Sequence, residues 1–559
     1  MSYDVIVVGA GSAGAIVASR LAEDPGARIL LVEQGPPNND LRVRMPGLLR
    51  ENMKRGARYT RFYYSTPQKG LNQRVVDLGC GIGLGGGSLV NGMMFLRGAP
   101  QDYERWSEEG ASGWSYAHVL PYFKRLERRA GGGDAWRGGD GPLMVERKEQ
   151  LSAINRAFIE AGSQAGYPWS DDVNGFQQEG FNRWDASTGG GMRQSTGYAY
   201  LEKRGPRPNL EIMTGVTVTR LVIERGRAAG IEVRTGTELK TVRGAREIVV
   251  AAGAIGSPLL LLRSGIGPAD ELKAAGVSPV HDLPGVGRNL HDHVDFLLQW
   301  HCKEPATYNR LLKPHRMALI GLQWMLFRKG FAAGAQVHAG AFLRTAEHVS
   351  HPDVQLTFFP IGFGDGKDGW VPLKDTDAFR IGIQIMRPSS RGSLKLASAD
   401  PSADPLIDPN LVGTDNDLEV LVRGYEIAQE IVRQEAMKRY TGEPLTPAVM
   451  PRSRADIEAL TRSAAGSGYH FCGTCRMGRA DDPDAVVDPQ LRVRGIEGLR
   501  VADASIMPSV VSANLNATCL MIGERASDLI RGKGMLPPEN APFHRPSGPP
   551  RQPPAGKAA

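Results

Sequence analysis

"YDVIVVGAGSAGAIVASRLAE", residues 3 to 23, decides the fold. Its first part, Val5 to Val8, is an unbroken run of β-branched residues, the pattern of a strand buried on both faces. Glycines at 9, 11 and 14 follow, then a helical apolar pattern through Leu21. "RILLVEQG", 28 to 35, adds a second strand that ends on Glu33. Strand, glycine turn, helix and acid-tipped strand together open a dinucleotide-binding βαβ unit. In such a unit Gly9 makes the tight turn, Gly11 admits a pyrophosphate against the backbone, and Gly14 lets helix and strand pack closely. Ser12 and Ala13 sit in the turn, where the helix N-terminus presents N–H donors and positive dipole to phosphates. Glu33, nineteen residues after Gly14, can accept from ribose hydroxyls. These residues do not separate FAD from NAD.

Outward from this unit, the chain of 559 residues is long enough for a sizeable core and more than one domain. With 41% hydrophobic and 23% charged residues, wholesale disorder is excluded. The net charge of +7 is spread along the chain. The densest basic patch, "KRLERR" at 124 to 129, falls in an amphipathic helical pattern and reads as a solvated face. No basic stripe with stacking aromatics is present, so no nucleic-acid partner is expected. Five cysteines, an odd and small number, fit a reducing compartment and argue against a disulfide framework. The N-terminus has no basic n-region or cleavage site, so no signal peptide and a cytoplasmic location of bacterial type are expected. "MALIGLQWMLF", 317 to 327, is too short to span a bilayer. Core packing is the first reading for it, and a membrane-facing surface with peripheral association the second.

"GCGIGLGGGSLVNGMMFLRG", 79 to 98, is glycine-rich and almost uncharged. It cannot be a stable helix or strand interior, but it can lie flat against a large planar ligand. Its apolar residues argue against a flexible linker, since such linkers are polar. Residues 205 to 250 read as short strands that lead into "GAIGSPLLLLRSGIG", 253 to 267, a glycine turn, an apolar helix and a second turn. The middle, 300 to 460, mixes amphipathic helices with strands such as "DVQLTFFP" and "FRIGIQIM". The proline-rich end, 535 to 559, is expected to be disordered.

Several separated motifs, in order, then resemble one family, the glucose–methanol–choline (GMC) flavoprotein oxidoreductases. They are "GAGSAG" with Glu33, "GLGGGSLVNG", "GAIGSPLLLLRSGIG", "PGVGRNLHDH", "YHFCGTCRMG" and "GLRVADASIMPSVVSANLNATCLMIGERASDLI". The resemblance covers about residues 3 to 532 and is nearest to choline-dehydrogenase-like and aryl-alcohol or hydroxymethylfurfural oxidase-like members. It implies FAD and a mixed α/β and α+β fold. A discontinuous Rossmann-like FAD-binding domain would come from 1–150, 205–297 and 471–534. A substrate domain with an antiparallel sheet flanked by helices would come from 151–204 and 298–470. The implied cofactor contacts add Gly85, Gly86, Asn91, Gly92, Met93, Val218, Ala252, Gly253, Asp503 and Ala504 to those of the first turn. Two departures stand out. Ile82 replaces a basic or small polar residue, which implies altered packing. Val90 stands where some members carry a histidine tethered to the flavin, which implies non-covalent FAD.

The stretch "SGYHFCGTCRMG", 467 to 478, holds the candidate base. In the family the histidine of this motif, here His470, faces the flavin. Alcohol oxidation removes a hydride, which flavin N5 takes, and a hydroxyl proton, which an imidazole titrating near neutrality suits. Asn514, at the position of the family's second histidine or asparagine, would hold the substrate hydroxyl. The other readings of these residues are a structural histidine, a metal site and a redox pair. A metal site lacks a fourth ligand beside His470, Cys472 and Cys475, so no metal is expected. The Cys472–Cys475 pair is unplaced relative to a helix N-terminus, and His291 and His293 read as structural. Tyr469 and Phe471 read either as pocket walls or as core. The implied activity is oxidation of a primary alcohol, with aromatic and furanic alcohols among the candidates and oxygen or a quinone-type carrier as acceptor. The lack of a carboxylate-rich run beside His470 makes a quaternary ammonium substrate less attractive. The alternatives on the same scaffold are a hydroxynitrile lyase-like or fatty-acid photodecarboxylase-like enzyme, or an FAD-binding protein without turnover.

Overall fold

β1 (Val5–Val8) lies at the centre of a parallel sheet and is buried along its whole length, as its apolar run requires. The structure, a computed structural model, describes residues 3–364, 376–532 and 534–551. From β1 the chain passes through the glycine turn into α1 (Gly14–Leu21) and β2 (Ile29–Glu33). It leaves for a second sheet at β3 (Gly180–Arg183) and returns for β4 (Leu210–Thr214) and β5 (Glu247–Val250), which runs into α2 (Gly253–Arg263). Then follow β6 (Val294–Cys302), α3 (Pro314–Phe327), β7 (Ala339–Leu343), β8 (Val354–Phe359) and β9 (Ala378–Ile385). After α4 (Asp415–Arg433), β10 (Thr441–Thr446) and β11 (Gly466–Ser467), the chain rejoins the first sheet as β12 (Leu499–Val501) and ends its regular structure in α5 (Asn516–Arg531).

The first sheet has the order β4-β2-β1-β5-β12, with every pair parallel. All five strands therefore point their carboxyl ends to one edge, the edge at which doubly wound sheets bind ligands. Gly9, Glu33, Ala252 and Asp503 each lie within two residues of a strand end on that edge.

The second sheet is antiparallel, in the order β10-β6-β9-β8-β7-β3, with β11 also pairing β6. Its register separates two faces. Phe296, Ile383, Leu356, Ala341 and Phe181 stand side by side on one, against α4. Asp295, Gln384 and Gln355 form a row on the other, beside Leu297, Gly382 and Thr357. Gln384, Gln355 and Thr357 are nonetheless buried. A buried polar face marks where this sheet meets other segments of the chain, Gly468 among them, rather than solvent.

Three expectations need correction. β6 begins at Val294, so the second sheet starts before the expected boundary at 297/298. α3 is not a core helix: only Trp324 on it is buried, and Leu319, Leu326 and Phe327 are each about two-thirds exposed at 66%, 64% and 64%. Hydrophobicity alone could not reveal this, because apolar residues lie on both sides of the helix. The C-terminal tail is ordered through residue 551, while 552–559 lie outside the described residues. The Leu536 amide donates to the Tyr122 hydroxyl at 3.0 Å, and the His544 amide donates to the Phe176 carbonyl at 2.7 Å. Phe543 packs edge-on to Tyr116, and Arg551 pairs with Glu430 on α4 at 2.8 Å. The tail is thus a strap from the helices beside α5 to the second sheet. Its prolines pre-set extended backbone, so a few anchors suffice to order it. Truncation after residue 534 should lower the thermal midpoint by about 2–5 °C, read by differential scanning fluorimetry; an unchanged midpoint would show that the strap contributes nothing.

Candidate active site

The glycines of the first turn are sterically required. Gly9 has a φ of +100°, and a Cβ there would collide with the Ala251 carbonyl; a Cβ at Gly14 would collide with the Gly9 carbonyl. The glycine-rich loop lies directly on this turn: the Gly85 amide donates to the Ala10 carbonyl at 2.8 Å, and a Cβ on Gly86 would sit 2.7 Å from the Gly11 Cα. Glu33 joins the two. Its carboxylate accepts from the amides of Ala10 at 2.8 Å, Gly35 at 2.8 Å and Gly83 at 3.0 Å. Burial pushes its pKa up, opposed by these three donors. Ser12 donates to Asn516 at 2.9 Å, so the first turns of α1 and α5 meet at the same edge.

Asp503 holds the start of α2 to the end of β12. It accepts from the Gly253 amide at 2.8 Å and the Ser257 hydroxyl at 2.5 Å with one oxygen, and from the Ser505 amide at 2.8 Å and hydroxyl at 2.6 Å with the other. A carboxylate so occupied is a structural clamp and not a base. Ala504 follows it and is buried. Val218 lies on the strand that follows β4, in the segment that the Val216 amide ties to the Glu33 carbonyl at 3.1 Å. Asn91 accepts from the buried Arg193 at 2.8 Å; Met93 is packed against Ala186 and Ala335, its amide donates to Asn91 Oδ1 at 3.1 Å and its carbonyl accepts from the Ser187 amide at 2.8 Å.

His470 and Asn514 come together: Asn514 Nδ2 lies 3.0 Å from His470 Nε2. Behind them stands His293, whose Nδ1 is 3.0 Å from His470 Nδ1. His293 Nε2 faces two carbonyl oxygens, those of Met386 and Val511, both at 3.1 Å. Carbonyls only accept, so Nε2 of His293 carries its proton. Burial pushes the pKa of His293 down to about 4, so its Nδ1 is a lone pair near neutrality. His470 Nδ1 must then be the donor between the two rings. Burial, and secondarily His293, push His470 well below its ordinary 6.5, so its Nε2 is an unprotonated acceptor. That lone pair points at Asn514, whose Oδ1 has no partner among the described residues.

Two buried carboxylates fix the backbones that carry this pair. Asp292 accepts from the His470 amide at 2.7 Å and the Ser467 hydroxyl at 2.5 Å; burial pushes its carboxyl up to about 7 against those donors. Asp102 accepts from the Ser512 amide at 2.7 Å and hydroxyl at 2.9 Å, two residues before Asn514. Burial opposes the Asp102 charge, but His351, Arg105 and the Ser512 amide hold it down to about 2.

Sequence models of the GMC oxidoreductase family match residues 3–295 and 388–523. The chain is a GMC oxidoreductase. It is 42% identical over 551 residues to mitochondrial choline dehydrogenase of Mus musculus, covering 97% of this chain and 92% of that one. It is 41% identical over 554 residues to oxygen-dependent choline dehydrogenase 1 of Chromohalobacter salexigens, covering 98% of each. Among solved structures, pyridoxine 4-oxidase from Mesorbium loti superposes with a TM-score of 0.85 at 30% identity, covering 95% of this chain and all of that one. As a GMC oxidoreductase the protein binds FAD and acts on CH–OH donors. The residues present fit the group. The carboxyl edge of the parallel sheet offers a glycine cradle, exposed backbone at Gly87 and Ala252, and the positive end of the α1 dipole. Val90, buried with Val43, Tyr59 and Leu89, has no nucleophile to tether a flavin.

Sequence reasoning missed His293, Asp292 and Asp102 as parts of the site. The only available signal was "NLHDH" itself, and nothing local links it to residue 470. Both reactive-looking cysteines, 472 and 475, are free and buried, and burial pushes their thiols well up, so they are inert packing.

His293→Leu removes the acceptor that fixes the His470 tautomer and should slow anaerobic flavin reduction by about 10²-fold or more. His293→Gln keeps an acceptor and a donor and should recover most of that loss; equal rates in both variants would refute the tautomer role. Because the His470 pKa is depressed, its base form persists as pH falls, so the wild-type reduction rate should stay level down through pH 6.5 and decline only below it. A decline centred at or above 6.5 would contradict this.

Proposed function

We propose that this GMC oxidoreductase oxidises a primary alcohol to the aldehyde, with His470 Nε2 as the base and Asn514 as the group that positions the hydroxyl. The tautomer chain carries this reading: it leaves one lone pair, on His470, beside one amide with spare hydrogen-bonding capacity. The substrate hydroxyl donates its proton to His470 Nε2, while the Asn514 amide N–H steadies the oxygen. FAD, non-covalently bound, supplies the hydride acceptor. The imidazolium formed on His470 stays hydrogen-bonded through Nδ1–H to His293. The acceptor that reoxidises the enzyme is oxygen or a quinone-type carrier.

The favoured substrate is an amino alcohol of the choline type. The choline dehydrogenases at 42% and 41% identity support this, and so does Asp295. The fold brings this carboxylate beside the His470 segment, which answers the missing carboxylate run in the local sequence. Asp295 opposes Gly466 on β11 and lies on the polar face of the second sheet. It makes no ion pair among the described residues, and burial pushes its carboxyl up to about 6, with Arg380 as the opposing charge. A cationic headgroup would favour its ionised form. An aromatic or furanic alcohol is the second reading. The Arg380 guanidinium stacks over Phe363 at 4.0 Å and Phe359 at 5.1 Å, and the 30% identical pyridoxine oxidase carries an aromatic substrate in its name.

The test is anaerobic bleaching of the flavin band by a panel of amino, aromatic, furanic and polyol alcohols, followed by readmission of air. Amino alcohols should bleach the band, and air should restore it if oxygen is the acceptor. His470→Ala should slow bleaching by about 10²–10⁴-fold while FAD stays bound, and Asn514→Ala should slow it less. Asp295→Asn should raise the half-saturating concentration for cationic alcohols and leave neutral ones unaffected. Bleaching by aromatic alcohols alone would move weight to the second reading. A yellow protein that no alcohol bleaches would favour a lyase-like or photochemical enzyme.

A further inference from the structure

We propose that α3 is a docking face for an anionic membrane surface, on which the helix lies in the plane of the lipid headgroups. The helix is firmly held from one side. The Trp324 indole N–H donates to the Gly191 carbonyl at 2.6 Å, and Trp324 and Ile320 pack against Met45, Leu48 and Met192. The opposite side carries Leu319, Leu322 and Leu326, spaced three and four residues apart and therefore on one helical face, with Met325 and Phe327 flanking them. Every one of the five is exposed, from Leu322 at 48% to Leu319 at 66%. A contiguous apolar face of this kind marks an interaction surface on a soluble protein. At 14 residues the helix is about 21 Å long, and no helix among the described residues is long and apolar enough to cross a membrane. Lying on the surface is the mode its geometry allows.

Charge selects the occupant. Residues 305–346 contain no aspartate or glutamate. Lys313 and Arg316 precede the apolar face and Arg328 and Lys329 follow it, and none of these four makes an ion pair among the described residues. Of the seven basic residues in the segment 41–61, which packs on α3 through Met45 and Leu48, Arg42, Arg44, Lys54, Arg58 and Arg61 pair with Asp40, Glu202, Glu51 and Asp404, so the cationic rim is made by the four residues that flank the helix. Apolar side chains rimmed by cations match anionic headgroups over an acyl boundary. A second copy of this chain fits less well: a two-fold pairing through this face would set the same cations against one another.

Vesicle flotation tests the proposal with the full-length, FAD-loaded protein. The probes are phosphatidylcholine vesicles with and without about 30% phosphatidylglycerol, at low and high salt. The protein should float with the anionic vesicles at least tenfold more strongly than with pure phosphatidylcholine, and salt should release it. Each basic residue at the surface is worth about fivefold in partitioning, so Lys313→Glu/Lys329→Glu should lose at least tenfold. Leu322→Glu/Leu326→Glu should lose binding altogether. Both variants should keep the wild-type flavin spectrum and thermal midpoint, since the four side chains face outward. Absence of flotation, or flotation that neither variant weakens, would overturn the proposal. So would a lipid-free dimer in analytical ultracentrifugation that Leu322→Glu/Leu326→Glu dissociates, because the face would then belong to a second copy.

Discussion

The ring nitrogen Nε2 of His293 lies 3.1 Å from the carbonyl oxygens of both Met386 and Val511, and neither oxygen can donate a hydrogen. From that constraint, and from burial that keeps His293 neutral, the protonation of His470 follows. His293 must accept on its other nitrogen, His470 must donate to it, and the lone pair of His470 must face Asn514. Met386 follows β9 of the antiparallel sheet, while Val511 belongs to the segment leading into α5. The tautomer is therefore correct only when the two halves of the molecule are assembled around one histidine.

The same assembly explains why carboxylates are buried here without facing cations. Asp292, Asp503 and Glu33 each take three or more hydrogen bonds from hydroxyls and backbone amides, and burial raises the pKa of each. Such groups are costly to bury, and their hydrogen bonds offset that cost only in the native arrangement. They tie chain segments that are far apart in sequence: Glu33 joins the first turn to the glycine-rich loop, Asp503 joins β12 to α2, and Asp292 joins the start of β6 to the His470 segment. Each clamp thus converts chain connectivity into the fixed geometry that the proposed proton transfer needs.

The parallel sheet and its glycine turn were legible in the sequence because their determinants are local. Gly9 and Gly14 are needed by contacts within one βαβ unit and its neighbouring strand, and the apolar helix at 253–263 follows its glycine directly. Of the second sheet, β8 and β9 were legible as segments, but not its polar face, which exists only once Asp295, Gln384 and Gln355 are set in register. His293 looked structural because its partner is 177 residues away. α3 looked like core because apolar residues lie all round it, and only the fold shows which ones are covered. The tail looked disordered because proline-rich segments with sparse anchors resemble disordered ones until the surface they bind is known.

The central claim is the protonation state of His470, and nitrogen-15 NMR of histidine-labelled, oxidised holoenzyme at neutral pH tests it most directly. The resonances of residue 470 are those lost in the His470→Asn variant. Residue 470 should show a neutral ring protonated at Nδ1, with an unprotonated Nε2, down to pH values below 6.5. A ring protonated at Nε2, or an imidazolium at neutral pH, would contradict it, because the lone pair meant for the substrate proton would not exist.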